Sequence, residues 1–171
     1  DSSVSAMQIV TLRAAENAQL LVPQDTLDRA LDYLRSCASE GGGFGYMPGQ
    51  GSAPARSAAG LLCYFLLGAH DDSHVQRTLD YFKKPESFQR ITKHLGYTSY
   101  YAMQAHFQAG GANWARWAPR GTRLVMRYQQ PDGAFRDFGH HRPNGDDHCY
   151  GTAMALLTLE VYMHYLPAYQ R

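Results

Sequence analysis

The chain has 171 residues, 16 Lys+Arg against 15 Asp+Glu and 44% hydrophobic residues, which is enough for one domain with a sizeable core. Its charge is near balance and dispersed, which argues against nucleic acid or an anionic membrane as the main partner, and no apolar run reaches the ~18 residues of a spanning helix. Cys37, Cys63 and Cys149 cannot all pair within one chain and form no Cys-x-x-Cys, so reduced, mostly buried thiols and a reducing, cytoplasmic compartment are expected.

The first predicted element is Ser5-Ala6-Met7-Gln8-Ile9-Val10: a small hydroxyl residue, then Ala, then an apolar run free of acids. The same type of segment, headed by a hydroxyl or aromatic residue, recurs at Ser57-Ala58-Ala59-Gly60-Leu61-Leu62, Tyr101-Ala102-Met103-Gln104-Ala105-His106 and Thr152-Ala153-Met154-Ala155-Leu156-Leu157. The central Ala falls at 6, 58, 102 and 153, and recurrence at this spacing signals repeated supersecondary units.

Between the copies lie helices of a second type. Residues 26–39 place Leu27, Ala30, Leu31 and Leu34 at helical spacing, with Asp28, Arg29, Asp32 and Arg35 opposite, which predicts one buried stripe. Glu40-Gly41-Gly42-Gly43-Phe44-Gly45-Tyr46 follows as a turn, its glycines supplying positive φ and its aromatics apolar cover. It has neither a preceding strand nor a following Gly-Lys-Ser/Thr, so it does not read as a phosphate-binding loop. Residues 58–69 form the second apolar helix, and 74–84 the second amphipathic one, where Leu79-Asp80-Tyr81-Phe82 echoes Leu31-Asp32-Tyr33-Leu34.

Residues 97–111 contain no Asp, Glu, Lys or Arg, the signature of a helix buried nearly all round. Trp114 and Trp117 open the next segment, and a third, more basic amphipathic helix is predicted over 120–130. Pro131-Asp132-Gly133-Ala134-Phe135 forms a second turn. Arg136, Asp137, His140, His141 and Arg142 then read as a solvated polar loop, with transition-metal binding as the alternative. Residues 150–167 are the last apolar helix, with Glu160 as its one acid. Pro23, Pro85, Pro119 and Pro131 fall between periodic segments, where helix ends are expected. The pattern predicts an all-α chain of seven main helices, four inner and three outer, in one domain over 1–171.

Alternating inner and outer helices joined by Gln-x-x-Asp-Gly-aromatic turns resemble the α/α-toroid superfamily of squalene/terpenoid cyclases and protein prenyltransferase β subunits. Gln129-Gln130-Pro131-Asp132-Gly133-Ala134-Phe135 is similar to the cyclases' repeat motif, with Phe135 where Trp is usual. Ser36-Cys37-Ala38-Ser39-Glu40-Gly41-Gly42-Gly43-Phe44-Gly45 resembles another form of the same turn. The resemblance covers nearly the whole chain. It implies helical hairpins in a ring of about six pairs, of which this chain would supply about half. The first residue is not Met, so an upstream segment is expected, or completion of the inner surface by self-association.

In that superfamily the reaction cavity lies among the N-terminal ends of the inner helices. Such ends also carry partial positive charge and free N–H groups. Asn144-Gly145-Asp146-Asp147-His148-Cys149-Tyr150 opens the last inner helix and resembles the Asp-x-Asp-Asp acid of hopene-forming cyclases, making Asp146, Asp147 and His148 the catalytic candidates. In those enzymes the motif directly precedes Thr-Ala, whereas Asp147 stands five positions before Thr152. The starts Asp1-Ser2-Ser3-Val4, Ala53-Pro54-Ala55-Arg56 and Tyr97-Thr98-Ser99-Tyr100 do not reproduce it either. Prenyltransferases hold zinc with Asp, Cys and His, so Asp147, His148 and Cys149 are the metal candidates; the alternative is Asp146 or Asp147 as an N-cap with no cofactor at all.

Arg56, Tyr97, Tyr100, Tyr101 and Tyr150 are the cavity candidates. Aromatic faces stabilise cations, and Arg56 would meet a diphosphate or pair with an acid; the alternative for the tyrosines is core packing. Three functions follow as expectations: a non-catalytic domain that binds an apolar or polyprenyl ligand or a protein partner, part of a polyprenyl- or terpenoid-processing enzyme with its catalytic residues elsewhere, or a metal-binding domain.

Overall fold

The computed structural model describes residues 1–91, 94–135, 138 and 148–163, and there the chain is all-helical, with no strand beyond two isolated bridges. The Ala-centred segments become α1 (Ser2–Asn17), α3 (Pro54–Leu66), α6 (Leu95–Ala109) and α8 (His148–Leu159). The charged segments become α2 (Gln24–Cys37), α4 (Ser73–Lys83) and α7 (Gly111–Met126). These are the seven main helices. A five-residue α5 (Pro85–Gln89) fills the connection before α6, and a 3-10 turn (Glu160–Met163) follows α8.

Pro23 caps α2, Pro85 opens α5 and Pro131 lies in a turn, as helix-boundary prolines should. Pro119 does not: it sits inside α7, which begins nine residues before the predicted start at 120. An internal proline removes one helical N–H and leaves the carbonyl four residues back unpaired. That carbonyl belongs to Ala115, and both residues are exposed, so water can take the hydrogen bond. Meanwhile Trp117, Gly121 and Val125 continue a buried stripe through the proline. Packing of that stripe outweighs the local cost.

The four Ala-centred helices form a row, α1 on α3, α3 on α6 and α6 on α8, with α2, α4 and α7 laid against α1, α3 and α6. The two middle members are buried nearly all round, α3 from Ser57 to Leu66 without a break. The end members are not. Val4 and Met7 of α1 are each 54% exposed, and Leu156 of α8 is 48% exposed. Among the described residues each has a neighbouring helix on one side of the row only, so sequences that look alike differ in burial by position.

The turns after α2 and α7 are copies of one device. Ala38 bridges Phe44 and Gln129 bridges Phe135. Ser39 N–H donates to the Gly43 carbonyl at 2.9 Å, and Gln130 N–H to the Ala134 carbonyl at 2.8 Å. Gly42 and Gly133 both take left-handed φ, +90° and +87°, which only glycine adopts cheaply. In each copy the phenylalanine N–H then donates to the hydroxyl that heads the next Ala-centred helix: Phe44 to Ser57 Oγ at 3.0 Å, and Phe135 to Thr152 Oγ1 at 3.1 Å. The Phe44 ring lies on Gly60, where a Cβ would come within 2.5 Å of it.

Replacing Ser57 by Ala leaves the buried Phe44 N–H without a partner. We expect Ser57→Ala to lower unfolding free energy by ~1–3 kcal/mol in urea denaturation, against little change for Thr11→Ala on the exposed face of α1. Equal, small effects in both variants would show that the turn is held by ring packing alone.

Candidate functional site

The heads of α1 and α3 meet through Tyr46 of the turn that follows α2. At the head of α1, Asp1 accepts from Ser3 N–H and Val4 N–H, both at 3.0 Å, as an N-cap. Its second carboxylate oxygen accepts from the Tyr46 hydroxyl at 2.8 Å. The Arg56 guanidinium, from the head of α3, lies over the Tyr46 ring at 5.9 Å, within cation–π range. Neither a diphosphate nor a directly paired acid is needed to place it. Arg56 makes no ion pair among the described residues, and its buried Nε has no hydrogen-bond partner.

The head of α6 supplies three tyrosines. Tyr97 and Tyr101 have ring centroids 4.5 Å apart, and Tyr100 meets Tyr101 edge-on at 5.1 Å. Burial pushes the Tyr97 phenol up to about 12, with the Cys63 thiol and Tyr150 adding to it and the Ser3 hydroxyl pulling the other way. Burial also raises Tyr101. Cys63 of α3, buried with its thiol 3.9 Å from the Ala6 carbonyl of α1, is raised as well and stays protonated. The ring contacts bring Tyr97, Tyr100 and Tyr101 together at the head of α6, while Tyr150 stands exposed near the start of α8.

Asp146 and Asp147 lie outside the described residues, as do His140 and His141 and the side chain of His148. The catalytic and zinc readings of that segment therefore rest on sequence. Cys149 is exposed at the head of α8, the one exception to buried thiols. Among the described residues no group of three His, Cys, Asp or Glu side chains is placed to hold a metal, and no helix is long and apolar enough to cross a membrane.

Two polar centres went unnoticed in the sequence. Asp72 caps α4, accepting from His74 N–H at 2.9 Å and contacting His74 Nδ1 at 2.7 Å, and it pairs with Arg35 Nε of α2 at 3.0 Å. Burial opposes its charge, but the His74 and Arg35 contacts outweigh it and hold the carboxyl below its ordinary range. The other is His106 on α6. Its ring stacks on Trp117 at 4.2 Å and 12°, and Nδ1–H donates to the Ala102 carbonyl at 2.8 Å. Burial lowers it to about 4, against the Ala102 hydrogen bond, with the charge of Arg120 assisting. It is a neutral core group, unsuited to proton transfer near neutral pH.

No family model, curated protein or solved structure matches the chain.

His106 sets a pH dependence. An unfolded histidine titrates near ~6.5, so between that value and about 4 the unfolded chain binds the extra proton. Stability from this group is therefore complete above pH ~6.5 and lost as pH falls, by up to ~3 kcal/mol. In denaturant titrations at pH 7 and pH 5, His106→Phe should shrink the difference seen in the parent chain. An unchanged difference would assign the effect to other groups.

Proposed function

We propose that this chain is a helical-hairpin repeat domain of the α/α-toroid kind, related to terpenoid cyclases and prenyltransferases, that acts as a binding and interaction scaffold and not as a catalyst. The observation that carries the reading is the contrast along the row. Its middle helices are buried nearly all round, whereas both end helices present uncharged apolar faces to solvent. On α1 the exposed positions Val4, Met7, Thr11 and Ala14 follow one another at steps of three and four, a seam of the width that a neighbouring helix fills. On α8, Tyr150, Ala153 and Leu156 are exposed, with Met163 just beyond. Contiguous apolar surface of this kind marks an interaction site.

The chemistry of the helix starts agrees with a scaffold. Asp1 is engaged as a cap, Arg56 rests on Tyr46 and the tyrosines hold their protons at neutral pH, while His106, in the last turn of α6, is locked in the core. A second reading, part of a polyprenyl- or terpenoid-processing enzyme, draws on the tyrosine cluster at the head of α6, since such rings would line an apolar or cationic ligand.

The scaffold reading predicts concentration-dependent association in sedimentation velocity. Met7→Lys and Leu156→Lys should each weaken it with helical content unchanged, because each places a charge in an apolar seam. A chain that stays monomeric at all concentrations and binds no apolar dye would overturn the reading. Turnover of a polyprenyl diphosphate by this chain would favour the enzyme.

A further inference from the structure

The outer helix α7 carries a charge pattern that the repeat does not account for. Arg116, Arg120, Arg123 and Arg127 follow at steps of four, three and four along α7 and its C-cap, so they share one side of the helix. The helix contains no acid, and among the described residues none of the four arginines makes an ion pair. Like charges at these spacings destabilise a helix. The C-terminal end of the macrodipole favours cations only within the last turn, which covers Arg123 and Arg127 but not Arg116 or Arg120.

Three of these arginines bound a cavity of about 180 Å³, together with Phe88 of α5 and Leu124. The Arg120 guanidinium lies 4.4 Å over the Phe88 ring. Phe88 in turn stands edge-on to the buried Trp117 at 5.8 Å. The guanidinium is thereby held over a ring that itself packs on the buried Trp117, which lowers the ordering cost of binding.

Guanidinium forks that pair with no acid among the described residues, gathered around one cavity, suit an oxyanion. A phosphate monoester brings nearly two negative charges and three acceptor oxygens, a closer match to three arginines than a carboxylate. Pockets for drug-sized ligands run to ~300–1,000 Å³, so this one takes a headgroup and only a small part of its carrier. Phe88 and Leu124 supply an apolar wall for that part.

We propose that the cavity formed by Arg120, Arg123 and Arg127 beside Phe88 and Leu124 binds a phosphate monoester, with the phosphate in the guanidinium forks and the attached group against the Phe88 ring. The site lies on an outer helix and does not depend on the scaffold reading.

The test is calorimetric titration of the full chain with phenyl phosphate, inorganic phosphate and benzoate. Saturable one-site binding is expected for phenyl phosphate, weaker binding for inorganic phosphate, and weakest for benzoate. Arg123→Gln and Arg127→Gln should each weaken phenyl phosphate roughly tenfold or more, with melting temperatures close to the parent's. Arg29→Gln, an exposed arginine on α2, should leave affinity unchanged. Phe88→Leu should remove the advantage of phenyl phosphate over inorganic phosphate. Vesicles of phosphatidylcholine with and without phosphatidic acid separate the sources: capture by phosphatidic acid, reversed by phenyl phosphate, assigns a lipid headgroup, and no capture assigns a soluble ester. Absence of saturable heat, equal losses in Arg29→Gln, or equal binding of benzoate would overturn the proposal. So would tight binding of an RNA oligonucleotide that phenyl phosphate does not displace.

Discussion

The structure depends on one hydrogen bond made twice, from a turn phenylalanine N–H to the hydroxyl that opens the next Ala-centred helix. Ser57 receives it from Phe44, and Thr152 receives it from Phe135. The first of these donors is buried and is denied water, so losing its acceptor would cost the full desolvation penalty. The bond also fixes an angle and a register. It sets where the chain leaves an outer helix and which face of the inner helix meets the aromatic ring. Thr78 of α4 adds a second tie to the first turn, its hydroxyl accepting from Gly43 N–H at 3.3 Å. One short turn is therefore bound to both helices that follow it.

From that register the rest of the packing follows. Phe44 can lie on α3 only because residue 60 has no side chain, and the equivalent position three residues after Thr152 is the small Ala155, which is fully buried. Among the described residues the connection between α4 and α6 shows no such turn. There α5 intervenes, and its Phe88 reaches Trp117, which also contacts Phe82 and stacks on His106. An aromatic cluster thus performs in the middle of the chain the joining that a hydrogen-bonded turn performs at either end. Because Trp117 anchors that cluster, α7 runs on through Pro119.

The helices and their alternation were legible because burial writes a period into the sequence. Acid-free runs became the row, and charged stripes became the flanking helices. The repeated hydroxyl-Ala pair was legible as a pattern, yet its purpose was not, since Ser57 and Phe44 are thirteen residues apart and their bond is a tertiary fact. Exposure of α1 and α8 was equally hidden: Val4 and Leu156 resemble their buried counterparts in α3 and α6, and only position in the row separates them. Arg120 lay in plain view within a basic segment. What the sequence lacked was Phe88, brought under it by a five-residue helix with no strong pattern of its own. Pro119 has the local signature of a helix end, and only the buried stripe of Trp117, Gly121 and Val125 beneath it keeps it inside α7.

Charge placement completes the logic. A buried ionisable group must be neutralised, paired or turned toward a polarisable surface. His106 takes the first course and stays uncharged against Trp117. Asp72 takes the second, shared between Arg35 and His74. Arg56 takes the third. Its counter-charge is Asp1, reached not by contact but through Tyr46, whose hydroxyl donates to the carboxylate while its ring receives the guanidinium. A phenol hydrogen-bonded to an anion is polarised toward its ring, so the Asp1 charge strengthens the attraction that holds Arg56. The heads of α1 and α3 are thus coupled through a residue of the turn between α2 and α3. The same turn that sets the helix register also carries the electrostatic link across it.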